Sequence, residues 1–341
     1  MPGPDRDRQG GPAPPACAPR TGAPRSRRTM KVVISEFMDE AAIAAELSGL
    51  DTLYDPGLVD RPEALRAALA DADAVIVRNR TELRGDLLAA APKLRAVGRL
   101  GVGLDNIDLD ACRARGIAVY PATGANDGAV AEYVIAAALL LLRGAYGASA
   151  AVAAGAWPRA ALMGREIAGK RLGLVGFGAI ARETARRAAA LGMALAAFDP
   201  HLAAQDPAWN PASGPVARLS LDDLLAQSDV LSLHVPLTPE TRGMIGAAEI
   251  ARMRPGSVLI NAARGGVVDG AALAAALRAG RLGGAALDVF AAEPVDAAAG
   301  ALFRDVPNLI LTPHIAGVTV ESNIRVSAVT ARAVRRHLTG G

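Results

Sequence analysis

Residues 170–191 read KRLGLVGFGAIARETARRAAAL, and this stretch indicates the fold class of the chain. An apolar run enters a G-x-G-x-x-[GA] turn at 176–181, and a helical segment rich in Ala and Arg leaves it. Gly176 permits the tight turn, Gly178 lets backbone amides approach a pyrophosphate, and Ala181 keeps the helix close to the strand. The pattern therefore predicts a strand–turn–helix unit that binds a dinucleotide.

The same unit indicates which dinucleotide is bound. The positive end of the helix dipole falls at Ala179 and Ile180, where amides are available to phosphate oxygens. Asp199 lies 21 residues after Gly178, at the end of the apolar run ALAAF. An acid at this distance binds the adenosine ribose hydroxyls and repels a 2′-phosphate. No arginine lies in 199–203 to accept that phosphate, so we predict NAD rather than NADP.

Outside this unit, short β-branched runs alternate with Ala- and Leu-rich helical segments. Strands are predicted at Val32–Ile34, Thr52–Tyr54, Ala74–Val77, Ala96–Leu100 and Ile117–Tyr120, and then at Arg171–Val175, Ala194–Phe198, Val230–Leu233, Ser257–Ile260, Ala285–Asp288 and Leu309–Leu311. A long helix at about 127–146 separates the two series, and a last helix at about 319–338 follows them. This alternation predicts an α/β fold with doubly wound parallel sheets.

Composition limits the classes of function. The chain is 51% hydrophobic and 21% charged, which is typical of a globular protein. Residues 1–29 contain six arginines and two aspartates, a net charge of +4, whereas the whole chain is +3, so residues 30–341 carry about −1. We therefore expect no binding to nucleic acid or to a membrane surface. We expect 1–29 to be disordered or to precede the true start at Met30, with a basic interaction arm as the alternative.

The cysteines bear on the cellular compartment of the protein, and the longest apolar run bears on whether the chain spans a membrane. Cys17 and Cys112 show no metal-ligand spacing, so we predict no metal site and a reducing, cytoplasmic environment. The apolar run at 133–142 is shorter than the ~20 residues that a membrane-spanning helix needs. We expect this run in a core or at a subunit interface.

Three polar residues in the last quarter of the chain each follow a predicted strand. They are Arg264 in SVLINAARGG, Glu293 in GAALDVFAAEP and His314 in NLILTPHIAG. Ligands of open α/β sheets bind outside the carboxyl ends of the strands, so these side chains should meet in one crevice. An arginine that holds an anion beside a carboxylate–imidazole pair suits redox chemistry on a 2-oxo or 2-hydroxy acid.

Seven blocks of the chain, in order, resemble the D-isomer-specific 2-hydroxyacid dehydrogenases. They are GVGLDNID (101–108), NDGAVAEYV (126–134), LVGFGAIA (174–181), HVPLTPETRGMI (234–245), NAARGGVVD (261–269), ALDVFAAEP (286–294) and TPHIAG (312–317). The resemblance implies two doubly wound parallel-sheet domains: a flavodoxin-like substrate domain (30–125 and 318–341) and a Rossmann NAD-binding domain (126–317). It also implies a homodimer formed through the helix at 127–146.

The resemblance also implies roles for individual residues. His314 would be the acid/base, with Glu293 as its partner. Arg264 would hold the substrate carboxylate, whose other oxygen would bind the backbone amides of Val102 and Gly103. Asp288 would face the nicotinamide amide. The predicted cofactor groove comprises Gly176, Gly178, Ala179, Ile180, Asp199, Val235, Ala262, Ala263, Asp288 and Gly317.

Further arginines bear on the substrate. VIVRNRTEL places Arg78 where the phosphoglycerate-dehydrogenase-like branch of the family has an arginine for the distal anion, and the opening ISEFMDEAA is similar to sulfolactate dehydrogenases. Arg143, at the end of the long helix, would contribute across a subunit boundary. Two such arginines beside Arg264 would suit a substrate of the 3-phosphoglycerate or 3-sulfolactate type.

Two alternatives remain at this point. If Arg78 and Arg143 are ordinary surface arginines, the protein would be a glyoxylate or hydroxypyruvate reductase of the same family. A remote alternative is an NAD-sensing, corepressor-like binding protein built on the same fold.

Overall fold

The computed structural model describes residues 28–340, in which the strands form two parallel sheets. The first sheet contains β1 (Lys31–Ile34), β2 (Asp51–Tyr54), β3 (Ala74–Val77), β4 (Ala96–Arg99) and β5 (Ala118–Pro121). Its strand order is β2-β1-β3-β4-β5, and every neighbouring pair is parallel. This is the flavodoxin-like order, and the predicted fold class is confirmed.

The second sheet has seven strands, one more than predicted. They are β6 (Arg171–Val175), β7 (Ala194–Phe198), β8 (Ala217–Arg218), β9 (Val230–Leu233), β10 (Val258–Asn261), β11 (Gly284–Leu287) and β12 (Leu309–Leu311), in the parallel order β12-β11-β10-β9-β6-β7-β8. The unpredicted β8 has two residues, both exposed, and so lacks the apolar run that marks a buried strand. The order reverses between β6 and β9, where a doubly wound sheet opens a ligand crevice.

Helices connect the strands of each sheet. The first sheet is accompanied by α1 (Glu40–Glu46), α2 (Pro62–Leu69), α3 (Gly85–Ala89) and α4 (Leu109–Ala114). Along the chain, α5 (Asp127–Arg143) and α6 (Ser149–Ala153) come between the strands of the first sheet and those of the second. The second sheet is accompanied by α7 (Ala179–Ala190), α8 (Leu221–Gln227), α9 (Ala247–Arg252), α10 (Gly270–Arg278) and α11 (Ala297–Ala301), and α12 (Val320–Thr339) ends the chain's helices. Short 3-10 helices lie at Leu58–Asp60, Tyr146–Ala148, Pro207–Trp209 and Gly265–Val267.

The last helix, α12, completes the core of the first sheet. Its buried residues Val326, Ala331 and Val334 share one apolar cluster with Val32 and Ile34 of β1. The central strands β1, β3 and β4 are buried on both faces, because α12 and α1 cover one face and other helices cover the opposite one. The core therefore joins segments from opposite ends of the sequence.

The long helix α5 is shorter than predicted. It ends at Arg143 because Gly144 adopts the left-handed conformation (φ +62°) and donates its amide to the Leu140 carbonyl at 2.9 Å. Five of its residues join the apolar core of the second sheet.

Within residues 28–340 no single helix is long and apolar enough to cross a membrane; α5 and the segment Tyr146–Ala153 pass that test only as a pair bent by 69°.

Some predictions concern residues that the structure does not describe. The expectations for 1–29, including Cys17, fall outside the described range except at residues 28 and 29. Cys112 is described, is buried and has a free thiol whose pKa is raised by that burial. The cytoplasmic location stays a prediction.

Candidate active site

The carboxyl ends of both sheets face one cleft. A cavity of about 500 Å³ lies there, and a second cavity of about 1120 Å³ adjoins it. The two cavities share the lining residues Asn79, Arg99, Asp105, Arg264 and His314. Glu293 lines the second cavity. The structure thus brings together the three residues that were predicted to meet from the ends of different strands.

His314 and Glu293 are hydrogen-bonded. The ring Nδ1 lies 2.7 Å from Glu293 Oε2, and the Phe290 amide donates to Oε1 at 2.8 Å. Partial burial acts to raise the pKa of Glu293, but the hydrogen bonds from His314 and Phe290 outweigh it, and the pKa is lowered overall. Glu293 is therefore held as a carboxylate. Nδ1 is occupied by this bond, so Nε2 is the ring atom left to act on a ligand.

Asp288 positions the segment that carries His314. Its carboxylate accepts hydrogen bonds from Thr312 Oγ1 (2.6 Å) and from the amides of Ile315 and Ala316 (both 2.8 Å). His314 has a φ of +57°, a left-handed conformation that costs a non-glycine residue roughly 1–3 kcal/mol and persists only where its surroundings impose it. Asp288 lines the cleft but is only 1% exposed. Its predicted contact with the nicotinamide stays a prediction.

Arg264 reaches from the second sheet to a loop of the first. Its Nε donates to Asp105 Oδ2 at 2.7 Å and its Nη1 to the Ala263 carbonyl at 2.6 Å. Nη2 has no acceptor among residues 28–340, and it lies so close to Gly103 that a methyl group there would overlap it. Glycine at 103 therefore lets the guanidinium lie beside the amides of Val102 and Gly103, which were predicted to bind the same carboxylate.

The glycine turn and the start of α7 form a groove that fits a dinucleotide. Gly176 has a φ of +85°, and a methyl group there would lie 2.6 Å from the His234 carbonyl oxygen, so glycine is required. At Gly178, the N-cap of α7, a methyl group would meet nothing within 4 Å. This open space lets a pyrophosphate approach the amides of Ala179 and Ile180.

The far end of the groove is also in place. Asp199 follows β7, and its carboxylate accepts the amides of Phe177 and His201, each at 2.9 Å, which ties it to the glycine turn. The other predicted groove residues, Val235, Ala262, Ala263, Asp288 and Gly317, line the 500 Å³ cavity. Desolvation lowers the pKa of His234 to about 4, and its Nε2 lies 2.9 Å from Ser232 Oγ, so this ring is neutral. A neutral, buried ring suits a structural role rather than an acid/base role.

The two arginines predicted to bind a distal anion differ in environment. Arg78 follows β3 and lines the cleft. Its Nη2 donates to Asn323 Oδ1 of α12 at 2.7 Å, and its guanidinium carbon lies 5.7 Å from the centroid of the Phe37 ring. Arg143 is exposed at the end of α5 and lines neither cavity. Its action across a subunit boundary stays a prediction.

Arg99 is a cleft residue that the sequence-based prediction did not include. It is the last residue of β4, is 9% exposed and lines both cavities. Its Nη1 donates to the Leu100 carbonyl at 3.0 Å, whereas its Nε is buried without a partner. Burial and the nearby charge of Arg264 lower the pKa of Arg99 to about 10. The available signal in the sequence was a charge inside the apolar run AVGRL.

Comparisons with known proteins identify the family. The family model for the D-isomer specific 2-hydroxyacid dehydrogenase NAD binding domain matches residues 135–316. The chain is 54% identical to the (S)-sulfolactate dehydrogenase of Chromohalobacter salexigens over 308 residues, which cover 90% of this chain and 98% of that protein. It is 43% identical to the D-3-phosphoglycerate dehydrogenase of Mycobacterium tuberculosis over 91% of this chain but only 57% of that longer protein. The solved D-lactate dehydrogenase of Aquifex aeolicus, complexed with NAD and lactic acid, matches with a TM-score of 0.80 at 30% identity, over 91% of this chain and 96% of that one.

The chain belongs to the D-isomer-specific 2-hydroxyacid dehydrogenase family. It is an NAD-dependent oxidoreductase that acts on the CH–OH group of a 2-hydroxy acid. The predictions of family, cofactor and reaction class are therefore confirmed, and the corepressor-like alternative is not retained.

Proposed function

We propose that the substrate is a three-carbon 2-hydroxy acid with a second anion on C3, of the 3-sulfolactate type, with 3-phosphoglycerate as the related candidate. The observation that carries this proposal is Arg78, a half-buried guanidinium in the cleft that forms no salt bridge within the described part of the chain. Burial lowers the pKa of Arg78 more than the nearby Glu36 carboxylate raises it, so an anionic ligand would stabilise this cation. The relative named as an (S)-sulfolactate dehydrogenase, which matches at 54% identity, supports the same substrate class.

In this proposal the cleft residues divide the chemistry between them. His314 gives a proton from Nε2 to the substrate oxygen during reduction of the 2-oxo acid and takes it back in the reverse direction. Glu293 orients the ring through the 2.7 Å bond and places a negative charge beside it. Arg264 binds the C1 carboxylate through Nη2, and the amides of Val102 and Gly103 bind its second oxygen. Bound NADH supplies the hydride to C2.

We further propose that the two sheets mark two functional units. Residues 30–125 with 318–341 would form the substrate domain, and residues 126–317 the NAD domain. The cleft is lined from both parts, and the ion pair between Arg264 and Asp105 joins them. Closure of the two units over bound ligands would exclude water and align the reacting atoms.

A homodimer formed through the α5 region is part of the same proposal. On α5, Leu139 and Leu140 are 39% and 38% exposed, and in the segment that follows Trp157 and Met163 are 75% and 84% exposed. Large exposed apolar side chains that occur together are typical of an interaction surface. Light scattering should give the mass of two chains, and Trp157→Glu combined with Met163→Glu should give one. A monomeric wild-type protein would contradict the dimer.

The substrate proposal is tested by rates of NADH oxidation with 3-sulfopyruvate, 3-phosphohydroxypyruvate, hydroxypyruvate and glyoxylate. We expect kcat/KM for one of the first two to exceed that for the others by at least about tenfold, the value of one charge-assisted hydrogen bond. Arg78→Ala should reduce this preference. Arg113→Ala, which removes an exposed arginine paired with Asp110, should not. A wild-type preference for glyoxylate or hydroxypyruvate would contradict the proposal and favour the reductase alternative.

A further inference from the structure

The strand β12, which leads to His314, lies at the edge of the second sheet. It has three residues, pairs only with β11 among the described strands, and ends at Leu311, which is 42% exposed. An edge strand this short holds its own ends weakly, because one row of its backbone groups has no partner in the sheet. The position of His314 must therefore be fixed by contacts outside the strand ladder.

The helix α5 contacts both ends of this strand. Before β12, Asn308 Nδ2 donates to the Leu141 carbonyl at 3.2 Å, and after it Thr312 Oγ1 lies 2.7 Å from Tyr133 Oη. Tyr133 and Leu141 are eight positions apart, a rise of about 12 Å along a helix. Asn308 and Thr312 are four positions apart, about 13 Å along a strand. The helix therefore runs antiparallel to β12 and matches it in length.

The hydrogen bonds that connect Tyr133 to Asp288 can have only one direction. The Asp288 carboxylate accepts the single hydroxyl proton of Thr312, at an oxygen–oxygen distance of 2.6 Å. Thr312 Oγ1 must then accept from Tyr133, whose phenol keeps its proton because burial raises its pKa. The same carboxylate accepts the two backbone amides that follow His314, each at 2.8 Å. A chain of donors thus runs from α5 to the segment that carries the imidazole.

We propose that Tyr133 is a positioning residue for His314 and acts through Thr312 and Asp288. The inference rests on the proposed function, in which His314 is the acid/base, because it names what holds that ring at the cleft. The left-handed backbone of His314 (φ +57°) needs support from its surroundings. Tyr133 lines neither of the two cavities, so its effect on the reaction must pass through these bonds.

The test measures hydride transfer in a single turnover, from NADH absorbance, with whichever of 3-sulfopyruvate, 3-phosphohydroxypyruvate, hydroxypyruvate and glyoxylate the enzyme reduces fastest. Tyr133→Phe removes one oxygen atom and should slow this step about 3- to 10-fold, the effect of one hydrogen bond, while the steady-state KM for NADH stays unchanged. Thr312→Val also removes the bond to the carboxylate and should slow the step further. Tyr133→Phe added to Thr312→Val should have no additional effect, because Tyr133 acts through Thr312.

The matched control is Tyr120→Phe. The Tyr120 hydroxyl lies 2.9 Å from His337 Nδ1 and lines neither cavity, so this variant loses a tyrosine hydrogen bond outside the cleft. We expect both tyrosine variants to lower the melting temperature by roughly 2–4 °C, and only Tyr133→Phe to slow hydride transfer.

Three results would overturn the positioning role of Tyr133. They are a wild-type rate in Tyr133→Phe, losses that add in the double variant, and a rise in the KM for NADH as large as the loss of rate, which would make Tyr133 a support of the fold. If any of these is found and His314→Ala is inactive, the proposed acid/base stands and only the link to α5 is wrong. If His314→Ala still turns over, both proposals fail.

Discussion

Replacement of Gly103 by alanine tests whether the position of Arg264 limits catalysis. The added methyl group would overlap Nη2 of Arg264 and lie 2.7 Å from its Cζ and 2.9 Å from Asp105 Oδ2. Gly103 is not in the left-handed region, so its backbone accepts alanine without strain. The guanidinium, at the end of a flexible side chain, must therefore move away.

The structure predicts a small loss of stability and a large loss of activity. The ion pair that would be disturbed is partly exposed, 25% at Arg264 and 45% at Asp105, and such pairs contribute about 0.2–1 kcal/mol. A change of this size lowers the melting temperature by at most roughly 4 °C. If Nη2 binds the substrate carboxylate as proposed, loss of that contact removes a hydrogen bond between charged groups, about 1.5–3 kcal/mol, which is about 10- to 150-fold in kcat/KM.

Steady-state kinetics, thermal unfolding and a fluorescence titration with NADH together measure these effects. The matched control is Gly147→Ala, since a methyl group at Gly147 meets nothing within 4 Å. We expect the NADH affinity of Gly103→Ala to stay at the wild-type value. A kcat/KM close to that of the wild-type enzyme would refute the reasoning, because Arg264 would then act from another position. A large fall in melting temperature would show instead that Gly103 serves the fold.

Three further predictions follow from the site and its surroundings. His314→Ala should abolish turnover but leave NADH binding intact, and a large loss of NADH affinity in the titration would count against the acid/base role. Asp199→Ala should relax the preference for NAD over NADP in kcat/KM, because the carboxylate proposed to repel the 2′-phosphate is removed; an unchanged ratio would contradict this role. Hydrogen bonds from Arg186 and Arg187 lower the pKa of the Glu183 carboxyl from 4.5 to about 2. The stability that this carboxylate contributes is therefore present above pH 4.5 and is lost as the pH falls through about 2. Glu183→Gln should therefore lower the melting temperature at neutral pH and flatten its fall over that acid range, and an unaltered acid profile would exclude the contribution.

The sequence was most informative where local chemistry decides the structure. Strands buried on both faces are nearly continuous apolar runs, so their positions were predicted to within about one residue. The glycine turn at 176–181 was recognised from its spacing, and Gly176 is required there because its φ is positive and the His234 carbonyl lies close to it. The two-residue strand β8 carries no such pattern, and the end of α5 depended on the left-handed Gly144.

Contacts between residues that are far apart along the chain could not be predicted from the sequence. Arg264 and Asp105 are 159 positions apart, and nothing near either one indicates the pair. Asp288 was expected at the cofactor, but its three hydrogen bonds to Thr312, Ile315 and Ala316 emerge only when two loops are placed side by side. The burial of Arg99 at the end of β4 depends on surrounding segments that the run AVGRL alone does not specify.

Because α12 completes the core of the first sheet, the two cores need not form in the order in which their strands are synthesised. Strands β1 to β5 leave the ribosome early, yet the apolar face that includes Ile34 and Ile76 is covered only in part, by α1, until Val326 and Val334 have been synthesised. All strands of the second sheet are available before that point, and its contacts are closer in sequence, so its core can form first. The half of the cleft that contains Arg99, whose carbonyl accepts from Thr330 of α12 at 3.3 Å, is then the last to be completed. A nascent chain arrested before α12 would hold the strands and the glycine turn of its dinucleotide groove but not the helix that completes the other side of the cleft.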